Sequence, residues 1–248
     1  MKAAGHEILF CGDTHARHAH VLEAAHRLRP MAVVLLGDME FEQPAHLELG
    51  AIRDIVWWIH GNHDTDREAS WAHLMVEEFA DRCIDGRVVT LPDGTRLAGL
   101  GGVFRAKIWA PPSPAVHTGY DAWLASLQSG WPKRPTMHAT ERLRHRSTIF
   151  EDVYDRLAAQ DADVLVTHEA PSPHRYGWPT LNELARALGV RQVFHGHQHD
   201  RLDYRAHWGR LGHEVHGVGL RGISGRDGEV VVPGELDAAR ASMRVTEW

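Results

Sequence analysis

Ile55-Val56-Trp57-Trp58-Ile59-His60-Gly61-Asn62-His63-Asp64 is the stretch on which the reading of this chain turns. Its first half is rich in β-branched and aromatic side chains, the composition of a buried strand, and Gly61 ends it. Directly after the glycine stand an amide, an imidazole and a carboxylate. Polar groups at the mouth of a buried strand are costly unless something there uses them.

The same grammar recurs along the chain. The apolar run 8–11 leads into Gly12-Asp13-Thr14-His15, and 32–36 into Gly37-Asp38. Farther on, 164–166 leads into Thr167-His168-Glu169, and Val193-Phe194 into His195-Gly196-His197-Gln198-His199. Between these runs lie segments with helical spacing, over 16–28, 44–52, 66–81, 140–160 and 181–188, the last capped by Gly189. Runs alternating with helices imply βαβ units and a mainly parallel sheet. In open α/β sheets a site lies outside the carboxyl ends of the strands, so residues far apart in sequence converge there.

Each cluster alone has an ordinary explanation. Asp13 or Asp38 could cap a helix, Asn62 could be a turn residue, and His168 could be a satisfied histidine at a strand end. His197 and His199 carry more weight, because alternate residues of an extended chain point to the same side. Five such coincidences at five strand ends point to one cause, a centre of two metal ions. Neutral imidazoles and carboxylates without cysteine suit Zn²⁺, Mn²⁺, Fe or Ni²⁺ and argue against a closed structural zinc site.

The order Asp-x-His, Gly-Asp, Gly-Asn-His-Asp, His, Gly-His-x-His resembles the calcineurin-like metallophosphoesterase superfamily, in its bacterial phosphodiesterase-like branch. The resemblance runs from Asp13 to His199. It implies an α/β fold of four layers, αββα, with two mixed β-sheets packed face to face and flanked by helices. It also implies that Asp13, His15 and His199 hold one divalent transition-metal ion and Asn62, His168 and His197 a second, with Asp38 bridging. His63 would stay off the metals and face a small phosphate-ester substrate. The implied reaction is hydrolysis of a phosphodiester or phosphomonoester by a water that the two ions share and acidify. His63 would stabilise developing charge or protonate the leaving group. A nuclease of the same fold and a catalytically silent scaffold are the rival readings; the complete ligand set argues against the scaffold.

The chain departs from the protein serine/threonine phosphatase branch, which has Asp-Arg-Gly shortly after Gly-Asp. Here Gly37-Asp38 is followed by Met39-Glu40-Phe41-Glu42-Gln43, without the phosphate-binding arginine or the aspartate that would orient His63. Asp64 and Glu40 are the candidates for that orienting role. Arg105 and Lys107 follow Gly101-Gly102 at the base of an irregular stretch and are the candidate substrate-binding residues. The basic stretch Lys133, Arg134, Arg142, Arg144, Arg146 could collect an anionic substrate, and the preferred reading is the solvated face of a helix. Trp109, Trp123, Trp131 and Trp178 could stack a base or an aromatic ester, with core packing the preferred reading for most of them; Cys11 reads as core and His195 as a residue behind the metal ligands.

Composition bounds the rest. A length of 248 residues accommodates one large α/β domain, read here as 1–248 with an irregular insertion at about 104–140. A lid or a solvated loop would account for that insertion, with a short helix over 121–127. Segments 88–91 and 96–100 read as a hairpin about Asp93-Gly94. Segments 213–218 and 229–232 read as antiparallel strands completing a second sheet. A formal net charge of −6 argues against long nucleic acid and anionic membrane as partners. Two cysteines make no disulfide framework, no apolar stretch approaches the roughly 18 residues of a membrane span, and the N-terminus lacks a signal peptide's apolar segment. The expected location is therefore the cytoplasm.

Overall fold

The computed structural model describes residues 8–128 and 135–241. Ten strands are present among them: β1 Ile8–Cys11, β2 Ala32–Leu35, β3 Val56–Trp58, β4 Arg87–Thr90, β5 Arg96–Leu100, β6 Val164–Thr167, β7 Gln192–His195, β8 Glu214–Gly217, β9 Ile223–Gly225 and β10 Val230–Val232. They form two five-stranded sheets, ordered β10-β9-β1-β2-β3 and β4-β5-β6-β7-β8. In the first, β1, β2 and β3 are parallel and β9 and β10 run against their neighbours. In the second only the β4–β5 hairpin is antiparallel.

Both faces of each sheet are covered, which explains the continuous apolar runs of the parallel strands. Inward residues Ile8, Phe10, Val34 and Ile59 meet Leu97, Val164, Val166 and Phe194 of the opposing sheet. The Phe10 and Phe194 rings stack with centroids 3.8 Å apart. Outward residues of the first sheet, Leu9, Cys11, Val33 and Leu35, pack under helices through Val21, Ala24, Leu49, Leu74 and Phe79. Those of the second, Ala98, Leu165 and Val193, pack under Leu157, Leu181, Leu184 and Leu188. This is the expected four-layer αββα arrangement. Each large apolar side chain withdrawn from water contributes about 1.5–3 kcal/mol. Burial also pushes the Cys11 thiol well up, so it is an inert core residue.

Register sets the strand ends level. Cys11 pairs with Leu35 and Leu35 with Trp58; Leu100, Thr167, His195 and Gly217 line up likewise. The residues that follow each strand therefore emerge along one edge.

Several expected elements are shorter than their periodicity implies. The helix read over 16–28 is Ala19–Leu28, because His15 and Ala16 turn through left-handed φ angles of 42° and 59°. The helix over 44–52 is Ala45–Leu49 followed by a 3-10 turn Gly50–Ile55, so Ile55 precedes the strand. The helix over 66–81 breaks at Met75-Val76 into Glu68–Leu74 and Glu77–Ala80. The helix over 140–160 is also divided, into Pro135–Arg144, a turn His145–Ser147 and Glu151–Ala158. There Thr148 and Ile149 go extended, because Val103 N–H donates to Ser147 O and Ile149 N–H to Val103 O. Pairing across the fold outweighs helical spacing at that point.

The hairpin and the helix capped by Gly189 match expectation, the latter spanning Pro179–Leu188 with Gly189 at φ 68°. The short helix read over 121–127 is Tyr120–Gln128. Lys133, Arg134 and Trp131 lie outside the described residues. The two late strands differ from expectation: β8 joins the second sheet in parallel, and β10 extends the first sheet through β9. No helix among the described residues is long and apolar enough to cross a membrane.

His213, just before β8, is buried, with its Nε2 3.2 Å from Asn182 Oδ1. Burial, and then Arg186, pushes its pKa down to about 4 from the usual value near 6.5. The unfolded chain thus takes up a proton at a pH where the folded chain refuses it. The stability that rests on neutral His213 should be complete above about pH 6.5 and be lost as pH drops toward 4. His213→Gln should flatten the melting temperature's dependence on pH over that window; an unchanged slope would show that His213 is not among its causes.

Candidate metal centre

The loops leaving the two sheets meet only because glycines sit where they do. A Cβ on Gly61 would lie 2.1 Å from Asp38 Oδ1 and 2.5 Å from His168 Cε1. One on Gly37, at φ 102°, would lie 2.4 Å from His168 Nδ1.

At that junction the residues singled out in the sequence converge. Asp13, His15, Asp38 and His199 form one group, and Asp38, His168 and His197 another, with the candidate ligand atoms of each group all within 4.8 Å of one another. Asp38 belongs to both. Asn62 Oδ1 is 3.3 Å from His168 Nε2, which places it with the second group.

Hydrogen bonds on the outside of the cluster fix which imidazole nitrogens face in. His15 Nδ1 is 2.5 Å from Glu40 Oε2, and His168 Nδ1 donates to Leu36 O at 2.7 Å. With Nδ1 carrying the proton, Nε2 of each ring presents a lone pair inward. There His15 Nε2 meets His199 Nε2 at 3.1 Å, and His168 Nε2 meets Asp38 Oδ2 at 3.4 Å. Asp13 accepts the His197 N–H with both oxygens at 3.0 Å, which ties the second sheet's loop to the first sheet. Asp38 Oδ1 accepts the His63 N–H at 2.7 Å, whereas Asp38 Oδ2 is buried with no hydrogen-bond partner. Buried lone pairs facing one another need positive charge between them. The donor set of carboxylate, imidazole and amide oxygen fits divalent transition metals.

The electrostatics agree. Burial, and next to it the Asp38 charge, pushes the Asp13 carboxyl up to about 8 despite the opposing pull of His168. Burial would depress His168, but Asp38 and Asp13 override it and raise its pKa to about 10. Burial likewise works against ionised Asp38, and His168 and the His63 N–H hold it charged. With protons alone, the cluster balances its charge on Asp13 and His168; divalent cations would take over that task. Burial and then His168 keep His197 neutral, down to about 3, and burial and then His15 keep His199 neutral, down to about 4. Both are in the form that donates to a metal.

The backbone here is strained. Among the described non-glycine residues with positive φ, Asp13, His15, Ala16, Asp38, Glu40, His197 and His199 all belong to these loops, and only Arg29 and Arg221 lie elsewhere. Such conformations cost of order 1–3 kcal/mol each and concentrate at functional sites.

His63 stands beside the centre, its ring 5.5 Å from that of His15 and its side chain 45% exposed. Neither of the orienting residues expected from sequence holds it. Asp66, three residues on, does so, with Oδ2 2.6 Å from His63 Nδ1. The 3-10 turn His63–Thr65 brings positions i and i+3 onto one side, a signal the sequence carried but one that periodicity does not reveal. Burial opposes it, but Asp38, Asp66 and Glu40 together raise the His63 pKa above its ordinary value. Asp64 is fully buried and accepts the N–H groups of Asp38, Met39, Glu40 and Gly61 at 2.8–2.9 Å. It pins the loop that bears Asp38 against the one that bears Asn62. Glu40 serves His15 instead.

Of the weaker candidates, Arg105 is half-buried and donates to Thr148 and Ser147, and Lys107 is exposed. Trp109 and Trp123 are core, as read. His195 is buried behind the loop, its Nε2 3.2 Å from the Tyr204 hydroxyl and without a bond to a candidate ligand's side chain. Glu169, not singled out from sequence, brings Oε2 to 3.9 Å from His197 Nε2.

Known proteins resemble this chain in sequence and in fold. The family model described as Calcineurin-like phosphoesterase matches residues 6–201, from before Asp13 to beyond His199. An uncharacterized protein of Haemophilus influenzae (strain ATCC 51907 / DSM 11121 / KW20 / Rd) is 35% identical over 231 residues, 91% of this chain and 96% of that protein. The crystal structure of TT1561 of Thermus thermophilus superposes with a TM-score of 0.50 at 13% identity, covering 93% of this chain and 99% of that one, a similarity of fold.

Proposed function

The chain belongs to the calcineurin-like phosphoesterase family, and from that premise we propose that it is a metal-dependent phosphoric ester hydrolase with a centre for two cations. One observation carries the reading. The Asp38 carboxylate is common to both ligand groups, and its buried Oδ2 accepts no hydrogen bond while facing His168 Nε2 at 3.4 Å. Asp13, His15 and His199 would hold one cation and Asn62, His168 and His197 the other, with Asp38 between them. Two divalent transition-metal ions, Mn²⁺, Fe, Zn²⁺ or Ni²⁺ by donor type, supply charge for the phosphoryl oxygens and a water acidified toward neutrality.

The chain's own residues do the rest. Glu40 and the Leu36 carbonyl fix the rings of His15 and His168 by accepting their Nδ1 protons. Asp66 keeps the proton of His63 Nδ1 in place, which leaves Nε2 to face a leaving-group oxygen. The same pairing favours the imidazolium, the form that donates a proton. Asp64 holds the two loops in register. A scaffold without chemistry would gain stability by relaxing the strained ligand loops, which supports hydrolysis over a silent role. The free thiols Cys11 and Cys83 fit a reducing compartment such as the cytoplasm.

Purified without chelators, the protein should carry about two transition-metal ions per chain and hydrolyse 4-nitrophenyl phosphate or its bis ester. Chelation should abolish turnover, and Mn²⁺ should restore it. A metal content near zero, or activity indifferent to chelator, would sink the proposal.

A further inference from the structure

Arg105 is laid against the centre from two sides. On one, the Phe104 N–H donates to Glu169 Oε1 at 3.3 Å, and Glu169 Oε2 lies 3.9 Å from His197 Nε2. On the other, Arg105 Nε donates to Thr148 Oγ1 at 3.0 Å and Nη2 to Ser147 Oγ at 3.4 Å. The Ser147 hydroxyl is in turn 2.6 Å from Thr65 Oγ1, in the same turn as His63. The guanidinium thus lies within electrostatic range of Asp66 on the His63 side and of Glu169 on the His197 side.

Its hydrogen-bonding capacity is largely uncommitted. A guanidinium has five N–H donors, and the bonds to Thr148 and Ser147 engage one N–H each. Among the described residues no carboxylate forms an ion pair with it. Burial lowers its pKa first, then Arg144; Asp66 and Glu169 offset this only at longer range. The wall it belongs to is positive: burial, then Arg105, Arg144, Lys107 and His117 push His145 down to about 4. A half-buried cation without a counter-ion is costly unless an anion arrives. The forked guanidinium matches phosphate oxygens in particular.

We propose that Arg105 holds the phosphoryl oxygen that the two cations leave over, and that the site is therefore built for phosphomonoesters. The inference rests on the dinuclear reading above. A monoester carries three terminal oxygens and nearly two negative charges. With one oxygen at each cation, a charged third oxygen remains for Arg105. In a diester that position is an ester oxygen, which carries almost no charge for a guanidinium to meet.

The test compares 4-nitrophenyl phosphate with bis(4-nitrophenyl) phosphate on metal-loaded wild type, Arg105→Met and Arg105→Lys. Wild type should favour the monoester in kcat/KM by at least about tenfold. Arg105→Met should lose roughly 10- to 100-fold on the monoester and less than about threefold on the diester, with Arg105→Lys between, as expected for a charge-assisted hydrogen bond. Calorimetry gives a readout without turnover: Arg105→Met should weaken binding of inorganic phosphate about tenfold or more and leave dimethyl phosphate unaffected. A wild type that prefers the diester, or equal losses on both esters, overturns the proposal while leaving the hydrolase standing. A metal-loaded wild type inert to both esters overturns the hydrolase and this proposal with it. Should Arg105→Met not fold, Arg105→Lys and the wild-type preference decide the matter.

Discussion

Asp38→Asn should empty both halves of the centre at once. The substitution keeps the shape of the side chain and the backbone N–H that donates to Asp64 Oδ2. It removes the charge common to both ligand groups and sets an amide among the inward lone pairs of His168 and Asn62. Metal content should fall from about two ions per chain to well below one, and affinity by more than the roughly 10- to 100-fold typical of an outer hydrogen-bonding partner. Turnover should fall with it. The metal-free variant should melt somewhat below metal-free wild type, because it loses the ionised carboxylate that faces His168 Nε2 at 3.4 Å, an effect partly offset by relieving Asp13 and Asp64 of a third carboxylate; burial and then Asp38 hold Asp64 up near 6. Added Mn²⁺ should raise the melting temperature of wild type and leave the variant where it is. If the variant retains about two ions, Asp38 does not bridge.

His63→Gln should have the opposite signature, full metal and little turnover. His63 contributes its backbone N–H to Asp38 but no side-chain atom to either ligand group. Loss of a positioned acid costs about 10²- to 10⁴-fold. A leaving group that departs without a proton needs that acid least, so alkyl phosphates should lose more than 4-nitrophenyl phosphate. Asp66→Asn should give a smaller loss of the same kind, since the imidazole remains and only its orientation is relaxed. Equal losses on alkyl and nitrophenyl esters would dismiss proton donation and leave His63 with charge stabilisation alone.

What could be read from the sequence, and what could not, follows from the range of each interaction. The strand ends were legible because parallel strands buried on both faces are continuous apolar runs, and any polar residue at their mouths stands out. Asp13, His15 and His199 group with Asp38, His168 and His197 group with the same Asp38, and Asn62 stands beside His168, because level strand ends bring their loops to one seam. Asp66 was missed because Asp64 is nearer in sequence; a carboxylate that collects four backbone N–H groups looks the same in one dimension as one that orients a histidine. The break at Thr148-Ile149 was invisible for another reason: helical spacing is a local signal, whereas the partner that draws the segment straight is Val103. The direction of β8 was equally hidden, since what sets it is parallel pairing with β7 rather than any turn in its own sequence.

The seam between the two sheets has a consequence for the order in which the protein becomes complete. The first 62 residues carry Asp13, His15, Asp38 and Asn62, while His168, His197 and His199 come from the second sheet. A growing chain emerges amino end first, so for most of its synthesis it offers a half-open claw of carboxylates with one imidazole. Only when residue 199 has left the ribosome are all seven side chains available to one another.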